Sequence, residues 1–264
     1  MFHVKHAPGK PLGRVITVVN QKGGVGKTTT AVNLASGLAL SDHSTLLVDL
    51  DPQGNATTGL GVGKDRLYPT TYHVLLDGEP MEKAAKETLV PNLFLVPADI
   101  DLVGAEVELV GLAGRESRLR GALEAVRERF DYILLDCPPS LGLLTINALT
   151  AADSALVPLQ CEYYALEGLA QLLKTIRLVK DRLNSRLEVE GIVLTMFDGR
   201  TSLASQVKAE VHQYFSGQIF QTIIPRNVRL SEAPSHGKPI LLYDLRSSGA
   251  LAYLELTKEV LAHG

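Results

Sequence analysis

The sequence has only two cysteines, Cys137 and Cys161, in 264 residues. That excludes a disulfide framework, and the two lack the paired spacing of a zinc site. They read as small hydrophobes of a cytosolic protein. No apolar run approaches the ~20 residues needed to cross a bilayer. The opening stretch, Met1–Pro11, lacks the apolar centre of a signal peptide, and its Pro and Gly residues suggest a loose basic tail. The expected compartment is the cytoplasm. No Pro/Gly/Ser-rich linker and no internal repeat divides the chain, so residues 14–264 read as one domain behind a flexible tail, residues 1–13. Charge excess is missing as well: 26 Lys and Arg stand against 29 Asp and Glu. The distribution is nevertheless uneven. Residues 1–41 hold five Lys/Arg and no acid, whereas residues 77–116 hold nine acids and three bases. A near-neutral average can therefore hide a basic face.

What is present is ample core material, 45% hydrophobic residues against 21% charged, which excludes a disordered chain. Short apolar runs alternate with helical patterns. The expected strands are Arg14–Asn20, Thr45–Asp49, Leu93–Pro97, Tyr132–Asp136, Ser154–Leu159, Glu190–Thr195 and Ile219–Ile224. Several are continuously apolar, as buried parallel strands are. The clearest helix spans Ala165–Leu183, with leucines and other apolar residues at three- and four-residue steps. The fold class expected is α/β, a doubly wound, mostly parallel sheet flanked by helices. Ligands in such folds bind at the carboxyl ends of the strands, and three polar clusters fall there.

The first cluster is Lys22-Gly23-Gly24-Val25-Gly26-Lys27-Thr28-Thr29, placed between a strand and a helix. Glycines allow positive φ and turn backbone N–H groups onto a phosphate, and the helix N-terminus adds its dipole. Lys27 suits the β- and γ-phosphates, Thr28 a Mg²⁺ ion and Thr29 the α-phosphate. The ordinary Walker A motif would need Gly where Gln21 stands. A dinucleotide fingerprint also fails, because Thr29 takes the place of its third Gly.

The second cluster is Asp49-Leu50-Asp51-Pro52-Gln53-Gly54-Asn55. Asp49 and Asp51 share a strand face, so both are expected to point toward the phosphate loop, one to position water and the other to support the metal or the loop. The plainer alternative is a strand-end turn. The third cluster ends the apolar run 132–135 with Asp136-Cys137-Pro138-Pro139-Ser140, the shape of a Walker B strand whose carboxylate holds Mg²⁺ through water. A helix cap is the alternative role of Asp136.

In order and spacing these three segments resemble the deviant-Walker P-loop ATPases, and within them the ParA/Soj family of chromosome and plasmid partition proteins. The resemblance extends from Arg14 over nearly the whole chain. It includes Glu162-Tyr163-Tyr164-Ala165-Leu166-Glu167-Gly168 and the stretch from Ile224-Pro225-Arg226-Asn227 to His236-Gly237. It implies that ATP and Mg²⁺ are the cofactors and that ATP holds a homodimer. Lys22 would reach the nucleotide of the other subunit, where an extra cation offsets charge. Asp51 would be the water-positioning carboxylate, and Pro225 with Asn227 would hold the adenine. It further implies non-specific double-stranded DNA binding by the dimer, with Arg200 and Arg229 at phosphate-contact positions. Lys208, Arg226, Lys238 and Arg246 are possible neighbours on that surface. The implied partner is a ParB/Spo0J-type centromere-binding protein that stimulates slow hydrolysis, and the implied location is the nucleoid. Thirteen residues before the first strand are too few for the helix-turn-helix domain of larger partition ATPases.

Three rivals share the nucleotide loop. A MinD-like division-site ATPase would end in a basic amphipathic helix, but residues 250–261 hold one Lys and two Glu and read as a helix packed on the sheet, so no membrane contact is expected. An iron-protein-like reductase would need Cys137 and Cys161 as cluster ligands. A scaffold that binds ATP without turnover would have no use for Asp51.

Overall fold

The computed structural model describes residues 12–63, 67–215 and 217–263. The tail Met1–Pro11 lies outside them, but Gly13 is tied to the fold through its N–H on the Arg127 carbonyl (3.0 Å) and its carbonyl on the Arg127 guanidinium (2.8 Å).

Eight strands form one sheet: β1 (Arg14–Val18), β2 (Thr45–Asp49), β3 (Lys86–Glu87), β4 (Leu93–Val96), β5 (Tyr132–Asp136), β6 (Ser154–Gln160), β7 (Glu188–Phe197) and β8 (Ile219–Pro225). Their order is β3-β4-β2-β5-β1-β6-β7-β8. All neighbours are parallel except the two-residue edge strand β3, which runs antiparallel to β4. The doubly wound α/β expectation holds. The edge strand is too short to carry an alternation that sequence could reveal. β1 stops before the expected Asn20 because that side chain turns the chain: its Nδ2 donates to the Pro158 carbonyl (2.8 Å) and its Oδ1 accepts from the Lys22 N–H (3.0 Å).

The sheet separates two apolar layers. On one face lie the helices Leu102–Leu109, Leu143–Ala151, Ala165–Arg182 and Ser202–Phe215. On the other lie α1 (Lys27–Leu40) and, beside it and packed on β8, the terminal helix Ser248–Ala262. Small residues in α1 let it approach both neighbours. A Cβ on Gly37 would collide with Thr257 of the terminal helix, and Tyr253 places its hydroxyl 3.1 Å from that of Thr30. The terminal helix thus spends its apolar residues Ala250, Tyr253, Leu256 and Val260 on the core. Among the described residues no helix is long and apolar enough to cross a membrane.

The register sets the height of the polar loops. Val18 of β1 and Asp49 of β2 both pair with Asp136 of β5, so three loops leave the sheet at one level. Leu134, fully buried on the α1 side of β5, anchors that level. Leu134→Ala should lower unfolding free energy by about 2–5 kcal/mol, read as a lower urea midpoint, because the central sheet cannot collapse around the cavity.

Candidate nucleotide site

The loop from Asn20 to Gly26 turns through Gly24 (φ 74°) and Gly26 (φ 86°), conformations that side chains with a Cβ resist. Gly26 is the N-cap of α1, and no side chain caps it. Every helix leaves its first N–H groups without internal partners. Here they open into a cleft of about 590 Å³ lined by Gly23, Gly24, Gly26, Lys27, Thr28 and Thr29. A 14-residue helix with an uncapped, glycine-lined N-terminus is an anion site. Val25 is buried and accepts the Thr195 hydroxyl on its carbonyl (2.8 Å), which pins the loop to β7.

Lys27 is 6% exposed. Its Nζ donates to the Lys22 carbonyl (2.9 Å), closing the loop on itself. Burial pulls its pKa below the usual lysine value, while Asp136 and, more weakly, Asp51 act in the opposite sense. Asp136 is wholly buried, and neither carboxylate oxygen has a hydrogen-bond partner among the described residues. Burial raises its pKa well above the carboxylate range, the neighbouring Asp49 adds to this, and nearby Thr28 and Lys27 counteract it. A buried, unpartnered carboxylate beside a threonine hydroxyl at a phosphate loop has the donor chemistry of a magnesium site. Thr28 and Asp136 fit that metal, and the helix-cap alternative for Asp136 has no hydrogen bond behind it.

Asp49 and Asp51 diverge. Asp51 lines the cleft and is 7% exposed, with one oxygen accepting the Gln53 N–H (2.9 Å). Asp49 does not reach the cleft. Its carboxylate accepts from the Thr57 N–H (2.9 Å), the Thr57 hydroxyl (2.7 Å) and the Asp51 N–H (3.1 Å). Burial still pushes its pKa up to about 6. The expectation that both carboxylates face the phosphate loop is therefore corrected: Asp49 shapes the turn that presents Asp51. Alternation along a strand stops mattering once the chain turns at its end.

Lys22 does not line its own cleft. It pairs with Glu162 at the end of β6, both side chains being half-exposed. Gln21 likewise bonds Gln171 (3.1 Å), so the loop start is fastened to the helix Ala165–Arg182 that follows β6. The role of Glu162 as counter-ion was not legible beforehand, since 140 residues separate the two.

Pro225 and Asn227 line a second cavity of about 270 Å³ that shares Gly26, Thr29, Met196, Leu230 and Pro234 with the first. The two spaces meet over the start of α1. The Asn227 amide is already engaged, accepting from the Arg229 N–H (2.8 Å) and donating to the Ser248 hydroxyl (2.7 Å). A base bound there meets a fixed, pre-oriented amide. Lys238, named above as a possible neighbour on the DNA-contact surface, is exposed and also lines the phosphate cleft, as do Asn55 and Ser235, which sequence reasoning missed.

Arg200 and Arg229 are both exposed and both paired: Arg200 forks onto Asp198 (2.8 and 2.6 Å), and Arg229 meets Glu232 (2.8 Å) and Asp244 (3.5 Å). Lys208 lies over the Phe197 ring, 5.7 Å from its centre. Cys137 is buried against the Thr17 hydroxyl (3.1 Å), with its thiol pushed up to about 12, and Cys161 is pushed up to about 11. Burial causes both shifts, and such thiols are poor metal ligands.

A parallel sheet that delivers an uncapped helix N-terminus, a buried lysine and two acidic strand-end loops to one cleft defines a P-loop nucleotide-binding protein with a deviant Walker A loop. Residues 13–189 match the family described as AAA domain. The chain is 59% identical over 253 residues to the sporulation initiation inhibitor protein Soj of Bacillus subtilis, a match spanning 96% of this chain and 100% of that protein. It is 58% identical to the chromosome partitioning protein ParA of Myxococcus xanthus, over 95% of this chain and 88% of that one. The chain belongs to the ParA/Soj family of chromosome-partitioning ATPases. Among solved structures, a cobyrinic acid a,c-diamide synthase from Mycobacterium smegmatis with bound ADP and magnesium superposes with a TM-score of 0.84 at 39% identity, covering 96% of this chain and 95% of that one. The cell division ATPase MinD of Pyrococcus furiosus gives a TM-score of 0.80 at 26% identity, covering 96% and 100%. One fold thus carries several differently named functions, so the site residues must decide among them.

Asp136→Asn should leave the stability of the ligand-free protein within about 1 kcal/mol of wild type, because the burial cost it relieves and the Lys27 attraction it forfeits oppose each other. The same change should weaken magnesium-dependent nucleotide binding. Denaturation without ligand and titration with Mg-ATP measure the two effects separately, and Mg-ATP affinity equal to that of wild type would contradict the assignment.

Proposed function

We propose that this chain hydrolyses ATP to drive chromosome or plasmid segregation, acting as an ATP-held homodimer on DNA. The observation that carries the reading is the cleft itself, where an uncapped α1 meets Lys27 and Asp51. The triphosphate lies on the free N–H groups of α1, with Lys27 on its β- and γ-phosphates and Thr29 on its α-phosphate. Thr28 and Asp136 hold Mg²⁺, which supplies charge neutralisation between the phosphates. Pro225 and Asn227 take the adenine. Asp51 orients the attacking water. Residues 14–264 work as one ATPase domain in the cytoplasm.

Lys22 of each copy leaves Glu162 and reaches the nucleotide of the other. Its position outside its own cleft supports that role. No arginine lines the phosphate cleft among the described residues, which fits slow basal hydrolysis awaiting a ParB/Spo0J-type protein. On DNA, phosphates displace the carboxylates that now hold Arg200 and Arg229. A single copy gains little from that exchange, whereas two copies gain four contacts at once. The helix Ser248–Ala262 spends Ala250, Tyr253, Leu256 and Val260 on the core, so that face is not available to a membrane.

Retention on non-specific duplex DNA should therefore require ATP and fail with ADP. Its logarithm should fall against log salt with a slope of about −3.6, from four phosphate contacts. Arg200→Ala with Arg229→Ala should flatten that slope without affecting ATP-dependent dimerisation. ATP-dependent binding to anionic liposomes in place of DNA would move the chain to the membrane class. Asp51→Ala should bind ATP and dimerise normally while hydrolysis drops at least ~100-fold. Single-turnover phosphate release checks this, and an unchanged rate would remove Asp51 from the mechanism.

A further inference from the structure

At the end of the sheet remote from the nucleotide cleft, the amino ends of β7 and β8 frame a cavity of about 470 Å³. Two carboxylates, Glu190 and Glu259, and two imidazoles, His212 and His263, line it, and no Lys or Arg does among the described residues. The Glu190 side chain is only 1% exposed. Its Oε2 accepts from the Arg14 guanidinium (2.6 Å) and from the Ser154 hydroxyl. Its Oε1 has no hydrogen-bond partner among the described residues. The half-exposed His263 ring stands 3.7 Å from that oxygen, beyond hydrogen-bond reach, and is stacked on Phe220. Phe220 in turn lies against Gly191, where a Cβ would collide with the ring. A buried carboxylate oxygen left unpaired is rare and costly, so Oε1 is an open acceptor at the cavity wall.

The chemistry of these groups selects the ligand. Glu259 adds a second negative charge, and its Oε2 accepts one bond, from the Gln221 N–H (2.8 Å), which leaves a lone pair. Four residues, one helical turn, separate Glu259 from His263, so the second carboxylate lies on the His263 side of the cavity. The wall is therefore built for a cation. A metal ion fits poorly, because among the described residues no three His, Cys, Asp or Glu side chains converge to hold one. A guanidinium fork needs both oxygens of a carboxylate, and Arg14 already occupies one of them. A primary ammonium is a compact charge that needs a single acceptor for each N–H.

We propose that this cavity receives a primary ammonium group, with Glu190 Oε1 as its main acceptor and Glu259 as the second. The ammonium takes the place beside Oε1 that the His263 ring now holds at a distance. Two sources carry such a group. One is a free aliphatic amine; the other is a lysine of residues 1–11, where Lys5 and Lys10 precede the Arg14 that grips the same carboxylate. Occupation fastens the end of the terminal helix to β7. That helix also sets the Tyr253 hydroxyl against Thr30 of α1 and the Ser248 hydroxyl against the Asn227 amide, so one element joins the cavity to the nucleotide site.

The test titrates butylamine into the full-length protein, with butanol and butylguanidine as matched probes, and reads the heat of binding and the thermal midpoint. Butylamine should bind saturably at one site and raise the midpoint. Butanol should not bind, and butylguanidine should bind at least ~10-fold more weakly. Glu190→Gln should lose about tenfold or more in butylamine affinity, the effect of one charge-assisted hydrogen bond. Because Glu190 also holds Arg14 and Ser154, wild type supplies a second readout that needs no variant. The NMR signals of the His263 ring and of the Gln218 and Gln221 side-chain amides should move during the titration. Equal binding by Glu190→Gln, equal binding of butanol, or shifts confined to the phosphate cleft overturns the assignment. A Lys5→Ala/Lys10→Ala variant separates the sources: tighter butylamine binding than wild type identifies one of those lysines as the occupant, and equal binding identifies a free amine. No saturable binding by either protein overturns the site.

Discussion

Lys27 is a cation held almost entirely out of water, with Asp136 and Asp51 as its counter-charges, and much of the architecture serves to make that arrangement tolerable. A buried charge is costly unless opposite charge lies close by. Bringing the charges together requires three chain segments to leave the sheet at the same height. The parallel register does this, since Val18 and Asp49 both stand opposite Asp136. The α1 helix then carries Lys27 at its first position, and its small residues let it pack closely on the sheet and against the terminal helix beside it.

The site is left unfinished in ways that matter chemically. The N-terminus of α1 has no side-chain cap, and both oxygens of Asp136 lack partners among the described residues. Each omission costs stability in the free protein, yet each is offset when a triphosphate and its metal arrive. The neighbouring turn is complete by contrast. Asp49 is satisfied by Thr57 and Asp51, which holds that turn rigid while the Asp51 carboxylate faces the cleft. Pre-organised surroundings with open coordination at one point are what phosphoryl transfer needs, because the reaction depends chiefly on positioning and charge.

Outside the cleft, surface cations are held by local acids. Lys22 sits on Glu162, Arg200 on Asp198 and Arg229 on Glu232. Exposed pairs of this kind are weak, typically below about 1 kcal/mol. A phosphate can displace them readily, so the same side chains can serve the free chain and a polyanion-bound dimer at little cost.

The sequence by itself determined the phosphate loop, the strand–helix alternation and the carboxylate at the end of β5. These rest on local physics: glycine's access to positive φ, continuous apolar runs that suit buried parallel strands, and a polar residue where such a run must end. The neighbours that distant segments acquire were decided by the tertiary structure. Asp49 and Asp51 look equivalent two residues apart, but the turn at Gly54, packed on Ala98, sends one into Thr57 and the other into the cleft. The Lys22–Glu162 pair, the place of Lys238 in the cleft and the edge strand β3 were equally hidden. Periodicity reports which face of an element is apolar. It carries no information about which element covers that face, because that depends on strand order and register across the whole chain.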